Sequence, residues 1–511
     1  MSDEKTKNNY LIFPVLLAVA VLTLLFSSEC SPLYPINDWV DPNCFLTVGK
    51  GILEGKVPYR DLYEQKGPYV YFLHALCALI SGDSFFGVWL AEIAAAFFFL
   101  WSVSKILCLY GIENLKIRAA IAALVGATVY FSFAFSTGDS VEEFALPIFS
   151  WVVYLTLKRI REGGFRPVDY FLAGAGGGVL FWAKFTLVGF FVGWYIFVLC
   201  RAIKGLKRKE PGTGILCIFC GVLVVTLPPF VYFAANHAVG DWLQVYLWDN
   251  LFLYRGSDHF LVCLVKGAGN LLITLGANIH YNSFVLLGIA GFARNRKKGG
   301  VYAEEGMFLL ILSAVTALFL YMGGRSYRYY GLPLAVFSVF GYVIVAKYFE
   351  KRVREKGPLL SKVQRRVAVS GICAAVTAFC LLFMGINGNF WYIFKGKEET
   401  VQYRFAEKIA EKEEPVILNY GFLDGGFYLA ADRVPEFRYF CKLNIPKPEM
   451  EEEMDRYLKD GEADFVVLKL WKHWPEELKR DNYREVMREK ARYRGETVTY
   501  VLYEKYDGAS D

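Results

Sequence analysis

The sequence predicts a polytopic α-helical membrane protein, about 11 to 13 transmembrane helices with outer juxtamembrane helices, followed by a small C-terminal extracytoplasmic α/β domain. Three observations carry this reading. The 511 residues are 55% apolar and 17% aromatic. The apolar residues fall into runs of roughly 15 to 24, near the length a helix needs to cross hydrocarbon, and Lys and Arg clusters separate the runs. From about Phe394 the chain turns charged and mixed in pattern.

The first run, Leu11 to Phe26, lacks a small-residue cleavage site and reads as an anchor. Basic clusters then fix the sides. They are Lys158, Arg159, Arg161 and Arg166; Arg201, Lys204, Lys207, Arg208 and Lys209; Arg294, Arg296, Lys297 and Lys298; and the stretch Lys347 to Arg366. With the weaker group Lys105, Lys116 and Arg118 they are assigned to the cytoplasm, because basic loops resist translocation. They also account for the net charge of +6, so no nucleic-acid partner is implied.

Eleven crossings connect these points, with the N-terminus inside and the tail outside: 11 to 27, 84 to 107, 118 to 136, 141 to 158, 168 to 184, 185 to 201, 214 to 235, 279 to 293, 306 to 322, 330 to 348 and 367 to 386. Two apolar stretches remain. Tyr69 to Ile80 is too short to cross, and Phe260 to Leu275 carries Lys266 and Asn270. Parity lays both along the outer surface, or makes them re-entrant.

Polar residues gather on the outer side. In the first external loop, residues 31 to 83, Asp41 caps or opens a helix running to about Glu54, with Phe45, Val48 and Ile52 spaced to face lipid. Gly55 ends that helix and Pro58 begins an extended turn. "STGDSVEEFALP" brings Asp139, Glu142 and Glu143, and "FWAKFTL" brings Lys184. "GDWLQVYLWDNLFLYRGSDHF" supplies Asp241, Trp248, Asp249 and Asn250, and "GGRSYRYYGLPL" supplies Arg325, Tyr327, Arg328, Tyr329 and Tyr330. Charges near hydrocarbon are costly unless paired or used, so these turns suggest a polar cavity open to the outer leaflet.

Asp41, an aromatic at Phe45, then "GKGILEGKVPYRD" and "EQKGPYVYFLHAL", resemble the first external loop of GT-C glycosyltransferases. The resemblance is to bacterial relatives of the protein O-mannosyltransferases and the lipid A aminoarabinose transferases, glycosyltransferase family 39-like. There the loop usually opens on Asp-Glu and later carries Lys-Pro or Lys-Gly-Pro; here the pair is Asp41-Pro42 and the later motif Lys66-Gly67-Pro68. "GDSVEEFALP", "WDNLFLY" and "RYYGLPL", with Arg328 where His is common, follow in the family's order, and the likeness runs loosely over residues 11 to 386.

The resemblance implies a polyprenyl-phosphate-linked sugar as donor and a hydroxyl of a cell-envelope glycan, lipid or protein as acceptor, at the plasma membrane. Such transfer needs a carboxylate to take the acceptor proton and cations to hold the departing phosphate. Asp41 is the candidate base, with Glu142 and Glu143 as further catalytic acids. Lys66 is the leading phosphate contact, followed by Arg325, Arg328 and Lys184. Tyr59, Asn250, Tyr329 and Tyr330 complete the substrate-binding set. Direct attack would invert the anomeric centre. Some relatives are metal-assisted and others are not, which leaves open a divalent metal ion on Asp41, Glu142 and Glu143.

Each residue also has a structural reading. Asp41 suits a helix cap, Glu142 and Glu143 suit a helix N-terminus, Lys66 suits snorkelling, and Arg325 and Arg328 suit an interfacial belt beside their tyrosines. A transporter or flippase for a lipid-linked or anionic substrate is the rival function, but the chain has no internal repeat and its charges lie at one face rather than the midplane. A non-catalytic polymer-binding protein is a third reading, favoured by Pro42.

His74, His237, His259, His280 and His473 lack metal-ligand spacing. Cys217 and Cys220 form a CxxC inside an apolar run, where packing is the expected role; Cys30 and Cys44 stand close enough in sequence to pair. Beyond the membrane domain, residues 1 to 390, the tail 391 to 511 reads as helix Glu398 to Glu411, strand "PVILNYG", then "GGFYLAAD" and helix "KPEMEEEMDRYLKDG". Strand "ADFVVLKL", a helical stretch Pro475 to Lys490 and strand "TVTYVLYEKY" come next, with no phosphate-binding Gly loop.

Overall fold

Long apolar runs fold as helices because only a helix satisfies its own backbone in hydrocarbon. A computed structural model describes residues 2–203, 211–253, 259–295, 301–356, 361–471, 478, 481–493 and 496–506. Of the residues assigned to cytoplasmic loops, Lys204, Lys207 to Lys209, Arg296 to Lys298 and 357–360 lie outside the described residues, as does His473.

Six helices among the described residues are long and apolar enough to cross a membrane: Phe86–Leu109, Phe185–Ile203, Thr213–Ala235, Phe260–Ala277, Tyr302–Tyr321 and Val363–Asn387. Arg328–Ala335 with Ser338–Glu355, bent by 45°, makes a seventh if taken as one span. Their outward faces carry large apolar side chains, among them Leu216, Phe219, Leu223, Val367 and Leu382. Such surfaces are unfavourable in water and suited to lipid. Pro68–Ile80 is a 13-residue helix, short as expected. Phe260–Ala277, which the sequence laid along the surface, is one uninterrupted helix of 18 residues and meets the length requirement.

The chain divides into two units. The first comprises Met1–Ser28, Ala91–Leu227 and Asp258–Asn387, and is helical. In chain order the first helices are α1 (Ser2–Ser27), α2 (Val40–Leu53), α3 (Pro68–Ile80), α4 (Phe86–Leu109), α5 (Leu115–Tyr130), α6 (Val141–Glu162), α7 (Pro167–Phe181) and α8 (Gly189–Ile203), and in this unit α1 packs on α5.

The second unit comprises Glu29–Leu90, Pro228–Ser257 and Gly388–Asp511. Helix α2 (Val40–Leu53) packs on α3 (Pro68–Ile80) and ends at Gly55, whose φ of 86° suits a residue without Cβ. Phe45 and Val48 do not face lipid: both are buried, Phe45 with its ring edge-on to His74 of α3. The C-terminal segment covers α2 through side-chain pairs that a local reading does not see. Thr47 Oγ1 donates to Asp424 Oδ2 at 2.6 Å, and Lys50 Nζ to Asp432 Oδ1 at 2.7 Å.

Strands β1 (Ile417–Tyr420), β2 (Phe465–Leu470), β3 (Tyr483–Tyr493) and β4 (Glu496–Lys505) form one mixed sheet in the order β1-β2-β4-β3, with β1 and β2 parallel and the other pairs antiparallel. β1 and β2 are mostly buried, and β4 is buried along its middle. The helix expected over Pro475 to Lys490 is not formed at Tyr483 to Lys490, which belong to β3; residues 475–477 lie outside the described residues. Tyr483–Tyr493 misled because an edge strand carries charges, and its Arg and Glu residues fall at helix-like spacing. Their partners are those of a sheet surface: Arg484 with Glu504 at 3.0 Å on the neighbouring strand, and Glu489 with Arg404.

Candidate functional site

Asp41 stands in the first turn of α2 but does not cap it. The N-cap is Trp39, without a side-chain cap bond. Pro42 is tolerated one residue later because the first N–H groups of a helix have no intrahelical acceptor. The Asp41 carboxylate lies 3.6 Å from Lys66 Nζ, and that ammonium stands over the Phe45 ring, 5.1 Å from its centroid.

Four groups fix the Lys66 backbone. Tyr59 and Tyr71 hydroxyls donate to its carbonyl at 2.7 and 3.1 Å, and its N–H donates to Glu64 Oε2 at 2.9 Å. Asn250 Nδ2 donates to the carbonyl of neighbouring Gln65 at 2.8 Å. Tyr59 is wholly buried and takes a φ of 71°, a left-handed conformation uncommon for a residue with a Cβ.

Asn250 lies on the π-helix Gln244–Leu253, a distortion common at functional sites. Beside it, fully buried Asp249 accepts from Tyr63 Oη at 2.8 Å, Gln244 Nε2 at 2.9 Å and Lys447 Nζ at 3.4 Å. Burial, reinforced by the bond to Asp249, pushes the Tyr63 hydroxyl well above its ordinary pKa. Arg438 stands 3.7 Å from Asp241.

A second group forms in the other unit. Glu142, in the first turn of α6, is buried and paired with Lys184 Nζ at 2.5 Å. The same ammonium lies 4.3 and 4.7 Å from the ring centroids of Tyr329 and Tyr330. Arg328 stands over Phe133 at 4.5 Å, and Arg325 is half-buried in the same loop. Glu143 does other work. Its Oε2 accepts from the Asp139 N–H at 3.0 Å, and Glu92 Oε1 accepts from the same N–H at 2.8 Å while Ser28 donates to Glu92 Oε2 at 2.6 Å. These acids brace a strained turn in which Ser136, Gly138 and Asp139 all have positive φ. A Cβ on Gly138 would stand 2.4 Å from Glu92 Oε1.

The structure therefore groups Asp41, Lys66, Tyr59 and Asn250 in one unit, and Glu142, Lys184, Arg328, Tyr329 and Tyr330 in the other. Among the described residues no group of three or more His, Cys, Asp or Glu is arranged to hold a metal ion. The divalent ion that the resemblance left open thus has no fitting donor set there.

The crystal structure of ArnT from Cupriavidus metallidurans bound to undecaprenyl phosphate matches this chain with a TM-score of 0.54 at 13% identity, over 96% of this chain and 97% of that one. The chain has the ArnT fold. The apo ArnT structure from the same organism matches with a TM-score of 0.49 at 13% identity, over 90% and 92% of the two chains. No protein-family model and no curated protein matches. The ArnT fold is the one that the resemblance of the first loop implied.

Sequence reasoning missed Glu92, Tyr63, Lys447 and Asp424. An acid within the apolar run "VWLAEIAAAFF" was a usable signal for Glu92; the others carry no local mark. Asp424 is completely buried, and burial raises its carboxyl from an ordinary 3.8 to about 6 against bonds from Thr47, Gly426 and Asn419 that favour the anion. A carboxyl raised on folding contributes full stability while it is protonated in both states, and that contribution is lost as pH rises from about 4 through about 6. The shift corresponds to about 3 kcal/mol. Thermal melting of wild type and Asp424→Asn across pH 4 to 7 is expected to show the wild type losing stability relative to the variant in that window; parallel profiles would contradict it.

Proposed function

We propose that the chain is an integral-membrane glycosyltransferase that moves a sugar from a polyprenyl-phosphate donor to a hydroxyl acceptor on the outer face of the plasma membrane. The N-terminus is then cytoplasmic and the C-terminal segment, residues 391 to 511, extracytoplasmic. The observation that carries this reading is the Asp41–Lys66 pair, 3.6 Å apart at the start of α2, in a chain with the ArnT fold. One ArnT structure is bound to undecaprenyl phosphate, which supports a polyprenyl-phosphate carrier for this chain too.

In the proposed reaction the acceptor oxygen attacks the anomeric carbon as the bond from that carbon to the phosphate oxygen breaks. Asp41 takes the acceptor proton. The phosphate leaves as an anion and needs no proton, but its charge must be held, which is the role of Lys66. Lys184, steadied by Glu142 and by the faces of Tyr329 and Tyr330, is the proposed donor contact of the first unit. A single displacement inverts the anomeric centre. Because Glu142 is already paired with Lys184, its role is to orient that ammonium, and Asp41 is left as the base.

Carrier binding tests this reading before the sugar is known. Undecaprenyl phosphate is expected to raise the melting temperature of the purified protein, since a ligand at about a hundredfold excess over Kd stabilises by about 2.7 kcal/mol. Undecaprenol, lacking the anion, is expected to do little. Equal shifts from both lipids would remove the phosphate site.

A further inference from the structure

Cys44 and Cys441 lie 397 residues apart in sequence, yet their sulfurs are 3.9 Å apart and both side chains are buried. Cys30, the partner suggested by proximity in sequence, instead accepts from Asn37 Nδ2 at 3.4 Å. Cys44, Thr47 and Lys50 succeed one another along one face of α2, and each meets the C-terminal segment: Cys441, Asp424 and Asp432 respectively. The two ion and hydrogen-bond pairs hold the register that keeps the thiols opposed. Closing the sulfurs to the ~2.0 Å of a disulfide takes a movement of about 2 Å, within reach of side-chain rotation.

We propose that Cys44 and Cys441 form a disulfide that staples the helix carrying Asp41 to the C-terminal segment. The proposal draws on the extracytoplasmic placement of both, where thiols meet oxidants. Each thiol gives up one hydrogen, the sulfurs join, and the two electrons and two protons pass to the disulfide of a thiol oxidoreductase, which leaves as a dithiol. Burial raises both thiols above their ordinary pKa and so suppresses the reactive thiolate. Oxidation accordingly precedes final packing, and the finished bond is shielded from reductants.

The test is peptide mapping of the full-length protein from cells with an oxidising extracytoplasmic space, alkylated at lysis and digested without reductant. The expected result is a linked peptide pair containing Cys44 and Cys441, two hydrogens lighter than the separate peptides, in most molecules. Full alkylation of both cysteines in the unfolded, unreduced protein would overturn the proposal. Melting supplies a second readout: reduction after unfolding and refolding should lower the wild-type melting temperature and leave Cys44→Ser/Cys441→Ser unchanged, whereas equal behaviour of the two proteins would count against the staple. Neither result depends on whether the protein transfers sugar.

Discussion

Asp41→Asn is expected to lower the turnover of sugar transfer by about 100-fold or more, the scale of a lost general base, with little effect on lipid binding. Asparagine keeps the size of aspartate and cannot take the acceptor proton. The fold should survive, because Asp41 is not the cap of α2 and Lys66 is held independently by Tyr59, Tyr71 and Glu64 through its backbone. The loss should therefore fall on kcat, with the melting temperature within a few degrees of wild type. Undiminished turnover would take the base role from Asp41.

Lys184→Met is expected to destabilise the protein by about 3 to 5 kcal/mol, the usual result of leaving a buried charge without its partner. Glu142 is that charge, its side chain only 1% exposed. The double variant Lys184→Met/Glu142→Gln removes both charges and should recover most of the stability, giving a large coupling energy in the double-mutant cycle. If Lys184 also holds the donor phosphate, the double variant should melt like wild type yet require more donor for half-maximal rate. Additive losses in melting would show that the pair is not coupled, and an unchanged donor requirement would confine Lys184 to a structural role.

Five of the six helices long and apolar enough to cross a membrane, and α2, were legible because their signals are local: apolar length for the first, Asp41 and Gly55 bracketing an apolar spacing for the second. What covers α2 was not. Phe45 reads as lipid-facing, but its ring lies edge-on to His74 of α3, and nothing near Thr47 and Lys50 in sequence announces that Asp424 and Asp432, almost four hundred positions later, meet the same helix. Tyr483 to Lys490 failed for a different reason. Arg and Glu at three- and four-residue spacing suit a helix surface, and the competing β-pairing with Glu496–Lys505 is visible only once the sheet is assembled.

At the site, charge type was legible and role less so. Glu142 and Glu143 are adjacent in the sequence and alike in chemistry. The structure separates them, because successive residues on a helix point in different directions: Glu142 meets Lys184, while Glu143 turns to the Asp139 backbone beside Glu92. Likewise Tyr59 reads as a substrate contact beside Lys66; the structure buries it completely, with its hydroxyl on the Lys66 carbonyl.

The most direct measurement of the central claim is transfer of radiolabelled sugar from a panel of polyprenyl-phosphate sugars to a membrane extract by the purified wild-type protein. The account predicts incorporation from at least one donor, with one equivalent of free polyprenyl phosphate released per sugar moved. No consumption of any donor, together with movement of intact donor across the bilayer of reconstituted vesicles, would contradict it and make the chain a lipid transporter.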